Sequence, residues 1–182
     1  SNIEKIEQIN LVSNLSEADF QHLNDQKQQF VKIVLPLIIN ENQKILSNRN
    51  DLMVLRSKLT ENNSLNSFEL NKLRKLSKKY KIEFDNEHKM EIIDKLLLRV
   101  EIIPNSIVLA QAAIESGWGS SRFAQEYNAL FGEYTYDNTK GVIPLERENG
   151  ERHLIKAFNS YNNSVESYFC LLYTSPSPRD SS

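Results

Sequence analysis

The chain has 182 residues, 40% of them hydrophobic and 25% charged, which suits one domain with an extension and enough apolar content for a buried core. Its formal net charge of −2, with no basic stripe, argues against a nucleic-acid binder held by phosphate contacts. Cys170 is the one cysteine, which excludes a disulfide framework and a cysteine-type zinc site; His22, His88 and His153 lie far apart, and no metal is expected.

The start, SNIEKIEQIN, is polar, mixed in charge and lacks an initiator Met, so the sequence reads as a fragment or processed piece whose missing signal peptide says little about export. The most apolar run, FVKIVLPLII, has ten residues, against the roughly 20 that a membrane-spanning helix needs. It is a buried helix segment, and no transmembrane segment is expected. Phe30, Val34, Ile38, Ile45, Leu52, Leu55 and Leu59 form a helical stripe, which Pro36 should kink or interrupt. A second helix should open near Ser67 with Leu70, Leu73, Leu76 and Tyr80 on one face. A third should cover residues 87–99, with Met90, Ile93, Leu96 and Leu97 inward. All five glycines lie between residues 117 and 150, so residues 1–100 read as an N-terminal helical region with short breaks.

The fourth helix is EIIPNSIVLAQAAIES, with Pro104 in its first turn, where the missing N–H costs nothing. Val108, Leu109, Ala112 and Ala113 make it apolar or small almost all round, as a central buried helix would be. A fifth follows at 120–127. Between 132 and 158 the pattern changes to two or three short strands, with Asn149-Gly150 as a hairpin signal. A last helix starts near 162–164 and includes Val165, Tyr168 and Phe169. The apolar helical pattern stops after Leu172. CLLYTSPSPRDSS, residues 170–182, resembles translated adapter sequence and is read as an artefactual or disordered tail.

ESGWG, residues 115–119, ends the fourth helix on a carboxylate and turns at once. Burial there, and the negative end of the helix dipole, would disfavour the charged form of Glu115, as a general acid requires. Gly117 and Gly119 permit a tight turn, and Trp118 can pack the far side and exclude water. The competing reading is an ordinary helix end with a core tryptophan and a solvated glutamate.

QAAIESGWGSSRFA followed by NALFGEYTY resembles the signature of glycoside hydrolase family 73, the bacterial peptidoglycan β-N-acetylglucosaminidases. VLPLIINEN at 34–42 is similar to its Bax-like branch. The resemblance spans about residues 20–169 and rests on both elements together, because goose-type lysozymes and lytic transglycosylases have a similar glutamate turn. It implies a mainly α (α+β) fold: a lysozyme-like helical lobe with a small β-hairpin lobe, preceded by the long helical region. Residues 101–169 would be the catalytic core. The family continues beyond it with a segment and a site tyrosine where this chain has its tail, so the core is expected to be C-terminally truncated.

The resemblance places the general acid on Glu115 and a second carboxylate on the hairpin, where Glu146 matches best and Glu148 and Glu151 compete. Each of the three is also an ordinary solvated hairpin charge. Sugar rings need flat apolar partners, which Phe131, Tyr134 and Tyr136 can supply; Ser116 and Trp118 complete the candidate substrate-binding set. The implied reaction is hydrolysis of peptidoglycan glycan strands after N-acetylglucosamine in the bacterial envelope, with no cofactor. The rivals are a lytic transglycosylase using Glu115 alone and a non-catalytic glycan-binding or adaptor protein.

Overall fold

Asn24 opens the first helix by accepting a hydrogen bond from the Lys27 N–H at 3.0 Å, in a computed structural model that describes residues 15, 17–144 and 153–174. A 3-10 turn at Glu17–Phe20 precedes it. The helix, α1, runs Asp25–Thr60 and passes through Pro36 without ending. This corrects the expected interruption. Pro36 and Lys32, whose carbonyl loses its intrahelical partner to the proline, are both exposed, so water can take the carbonyl's bond. Then come α2 (Ser67–Lys79), α3 (Lys89–Arg99), α4 (Asn105–Ser116), α5 (Arg122–Tyr127) and α6 (Tyr161–Thr174). None of the described helices is long and apolar enough to cross a membrane.

The described residues fall into two compact units. One combines those up to Glu41 with Ile103–Tyr168; the other combines Asn42–Ile102 with those from Phe169. The second unit is helical. Asn66 and Glu69 form a reciprocal capping box at the start of α2. Leu73, Leu76, Ile93 and Leu96 are buried; Ile92 lies inward too, while Met90 and Leu97 are half-buried rather than buried. The Arg49 guanidinium donates to the Leu97 and Val100 carbonyls at 2.7 and 3.0 Å, taking up acceptors that the end of α3 leaves open.

The last helix is longer than its sequence pattern indicates. It continues through Cys170 to Thr174, and the Tyr173 ring lies 5.7 Å from buried Tyr80 and 6.3 Å from Phe169. Aromatic packing by Tyr173 extends the helix past Leu172, up to the Ser-Pro-Ser-Pro run, which lies outside the described residues.

The first unit holds the sheet. Three short antiparallel strands, β1 (Tyr134–Thr135), β2 (Gly141–Val142) and β3 (Leu154–Lys156), are ordered β1-β3-β2. The register pairs Tyr134 with Ile155, Thr135 with Leu154, and Gly141 with Lys156. Leu154 and Ile155 are buried, as are Phe30, Val34 and Ile38 of α1. The Asn149-Gly150 turn, with Glu146, Glu148 and Glu151, lies outside the described residues. The architecture is the expected mainly α class, lysozyme-like, with one small sheet.

Candidate active site

α4 buries Asn105, Val108, Leu109, Ala112, Ala113 and Ser116, the spacing of a single helical face. It is therefore central on one side only: Ile107 and Ile114 are exposed, and so is Glu115. Of the two readings of Glu115, the buried carboxylate is corrected here, and its exposure is that of the solvated glutamate at a helix end. Small residues all round a helix do not say which face turns inward, and Glu115 falls beside Ile114 on the outward one.

After Ser116 the chain takes three consecutive left-handed residues, Gly117 (φ 57°), Trp118 (φ 56°) and Gly119 (φ 77°). Glycine adopts this region freely; a bulky tryptophan does not. The turn is held at several points. The Trp118 N–H donates to the Ala113 carbonyl at 2.8 Å, and the Ser121 N–H to the Ser116 carbonyl at 3.0 Å. Ser116, wholly buried, donates its hydroxyl to the Ala112 carbonyl at 2.5 Å and accepts from the Gly119 N–H at 2.9 Å. The Trp118 ring meets Phe30 edge-on at 5.8 Å, with the Lys27 ammonium 4.9 Å from its centroid. Both ring partners come from α1. Ser121 then caps α5 through the Ala124 N–H.

Four of the five residues of Asn-Ala-Leu-Phe-Gly have a visible physical task. Asn128 ends α5 in the left-handed region and donates its amide to the Phe158 carbonyl at 3.1 Å. The buried Leu130 N–H donates to the Ser164 hydroxyl of α6 at 3.1 Å. Phe131 is buried and stacks on Tyr168, with centroids 4.0 Å apart and planes 8° from parallel. Gly132 (φ 63°) lies against the Glu115 side chain: a Cβ there would come within 3.1 Å of Glu115 Oε2. The two signature elements thus meet where the Glu115 carboxylate rests on the Gly132 backbone. Beyond it Tyr134 and Tyr136 are 67% and 78% exposed, Tyr134 edge-on to His153 at 4.6 Å. Of the candidates, Tyr134 and Tyr136 offer open ring surface, whereas Ser116 and Phe131 are engaged in the protein's own packing.

One carboxylate of this region escaped the sequence reading. Glu133, next to Gly132, has a side chain only 7% exposed. Its Oε2 accepts from the Ser167 hydroxyl at 2.8 Å, and Lys156 Nζ stands 3.9 Å away; Oε1 is buried without a hydrogen-bond partner among the described residues. Burial pushes the Glu133 carboxyl above the usual carboxylate range, against the opposing pull of Ser167 and Lys156. Burial also raises the Tyr168 phenol, with further pushes from the charges of Glu115 and Glu133. The available signal was a lone charge between two otherwise apolar or aromatic runs, NALFG and YTY.

Residues 90–180 match a glucosaminidase family described as mannosyl-glycoprotein endo-beta-N-acetylglucosaminidase. The chain is 32% identical over 151 residues to Protein bax of Escherichia coli strain K12, a match covering 83% of this chain and 52% of the relative. It is 38% identical over 87 residues to Peptidoglycan hydrolase FlgJ of the same strain, covering 41% of this chain and 28% of the relative. FlgJ of Salmonella typhimurium strain LT2 is 36% identical over 87 residues, covering 41% and 27%. The chain spans about half of the first relative's length and less of the others. No solved structure matches it. The matched segment is half of the chain and contains both elements that meet at Glu115, and on that ground the chain belongs to the glucosaminidase family, glycoside hydrolase family 73, with the Bax-like members.

Proposed function

We propose that this chain is an endo-β-N-acetylglucosaminidase that cleaves β-1,4 bonds after N-acetylglucosamine in bacterial peptidoglycan. Residues 101–169 are its catalytic core. Glu115 is the general acid: it gives its proton to the glycosidic oxygen as the bond to the anomeric carbon breaks. The observation that carries this reading is the contact between the Glu115 carboxylate and Gly132, which seats an exposed acid at the meeting point of the glutamate turn and the Asn-Ala-Leu-Phe-Gly element. An exposed acid is open to a polymeric substrate.

The second carboxylate belongs to the hairpin, where Glu146 is the first choice and Glu148 and Glu151 the competitors. It supports the oxocarbenium-like transition state or activates water. The exposed rings of Tyr134 and Tyr136 suit the apolar faces of sugars. Ser116 and Trp118 keep the acid-bearing turn in shape, and Phe131 backs it. Acid–base chemistry on an acetal requires no cofactor. The place of action is the cell envelope, periplasmic or at the surface, which the names of the FlgJ relatives support.

Digestion of purified sacculi followed by mass spectrometry tests the proposal. Fragments with reducing-end N-acetylglucosamine are expected. Anhydro-muramic ends would identify a lytic transglycosylase, and the absence of any product a glycan-binding protein.

A further inference from the structure

We propose that Glu133 is a positioning residue for Glu115, holding the Gly132 backbone in place through a link from β3 and α6. The inference rests on the reading of Glu115 as the acid. Two segments, β3 and α6, converge on Glu133. Its backbone carbonyl accepts from the Lys156 N–H at 2.8 Å, and β1, which begins at the next residue, pairs with β3. Its carboxylate accepts from Ser167 of α6, and Lys156 of β3 donates to that same Ser167 hydroxyl at 2.9 Å. The chain Lys156–Ser167–Glu133 therefore fixes the residue immediately after the one on which Glu115 Oε2 rests. Ser167 also precedes Tyr168, whose ring is stacked on Phe131, the residue immediately before Gly132. Gly132 is pinned on both sides, by Phe131–Tyr168 and by Glu133–Ser167.

Burial keeps Glu133 from touching the substrate, so it acts through its neighbours. Burial also makes it expensive. A carboxylate with one oxygen lacking a donor is a poor way to fill this space, where an apolar side chain would cost less. A costly buried carboxylate one residue from the acid's resting place, tied to a lysine and a serine, is what a preorganised site requires: a backbone fixed to within a fraction of an ångström. The charged and titratable groups that act with Glu133 are Lys156 from β3 and Tyr168 from α6, and Tyr168 also feels the charge of Glu115 from α4.

The test compares Glu133→Gln, Ser167→Ala and the double variant with the unaltered chain, following glycan-strand hydrolysis against pH together with thermal unfolding. In each single variant kcat should fall about tenfold or more, with KM changed less than about twofold, as a small misplacement of the catalytic group demands. Melting should be no lower in Glu133→Gln. The double variant should lose little beyond either single one, because both weaken one link: glutamine takes away the charge that Ser167 and Lys156 answer, and alanine takes away the hydroxyl. Glu133→Gln should also flatten the acidic limb of the kcat profile, which a merely space-filling residue would leave unmoved. Unchanged kcat in both single variants, or additive losses, would overturn the proposal. If Glu133→Gln fails to fold, Ser167→Ala alone decides. If the unaltered chain releases no product, the proposed function falls, and the carboxyl-carbon NMR signal of Glu115 decides the positioning claim instead. Ser167→Ala, which alters no charge, should shift that signal, and an unshifted signal would overturn the claim.

Discussion

In the unit built from Asn42–Ile102 and the residues from Phe169, charges lie at the surface and meet in pairs. Lys58 contacts Glu69, Lys72 contacts Asp51, and Arg56 contacts Asp94 at 2.8 Å. The left-handed residues there, Asn62 and Lys81, lie just past helix ends, where such a turn is ordinary. Ser77, though buried, gives its hydroxyl to the Leu73 carbonyl. In the unit that carries Glu115, the local rules are broken. A tryptophan takes a left-handed conformation between two left-handed glycines, and a carboxylate is buried beside Gly132. Departures of this kind cost about 1–3 kcal/mol each and persist only where the surroundings impose them. The strained turn directly follows Glu115, and Glu133 follows the Gly132 on which Glu115 rests, which is the pattern expected where a chain gives up stability for a shaped site.

The largest effect expected from this contrast comes from removing what imposes the strained turn. Phe30→Ala should cost about 3–5 kcal/mol in denaturant unfolding, because a 5% exposed ring is lost together with its edge contact to Trp118. Trp118 is the one tryptophan in the chain, so its emission reports the turn directly and should move to longer wavelength. A loss under about 1 kcal/mol with unmoved emission would mean that α1 does not hold the turn.

Gly132→Ala comes next. Its Cβ would press on Glu115 Oε2 from a φ of 63°, so stability should fall by about 1–2 kcal/mol while the carboxylate is displaced. Activity measured at a temperature where the variant remains folded should fall more than stability alone explains; proportional losses would remove Gly132 from the site.

The buried carboxylate gives a smaller, pH-dependent effect. The Glu133 carboxyl titrates above the usual carboxylate range in the folded chain, so the folded state binds more protons there than the unfolded state. Stability contributed by this group is then fully present below the ordinary carboxylate range and is lost as pH rises through the raised folded value. Glu133→Gln should remove that decline from melting temperature plotted against pH. Parallel curves for the two proteins would show that Glu133 is not desolvated. The smallest effect belongs to the other unit: Arg56→Ala breaks a pair about half exposed on both sides and should change stability by less than about 1 kcal/mol, with no change in activity.

Much of the fold could be read from local pattern, and the reasons for the exceptions are physical. α2 and α4 appear where 3.6-residue spacing placed them, although α4 opens only at Asn105, with Pro104 just before the helix rather than in its first turn. The glutamate turn was visible because two glycines bracket the one tryptophan. The exposure of Glu115 was not, since a helix of small residues gives no marked apolar face. The interruption expected at Pro36 did not follow because the rule sees the residue and not the solvent beside it. The strand order β1-β3-β2 depends on pairing across a long connection, which short alternating runs do not encode. Glu133 left no periodic trace at all: its burial comes from β3 and α6 closing over it.

The central claim is that Glu115 protonates the glycosidic oxygen, and the most direct measurement is product release from sacculi by Glu115→Gln beside the unaltered chain. The amide keeps the side chain's size but cannot donate an acid proton. The account predicts an unchanged melting temperature with at least about a 100-fold slower appearance of reducing-end N-acetylglucosamine. Near-normal release by the folded glutamine variant would contradict it.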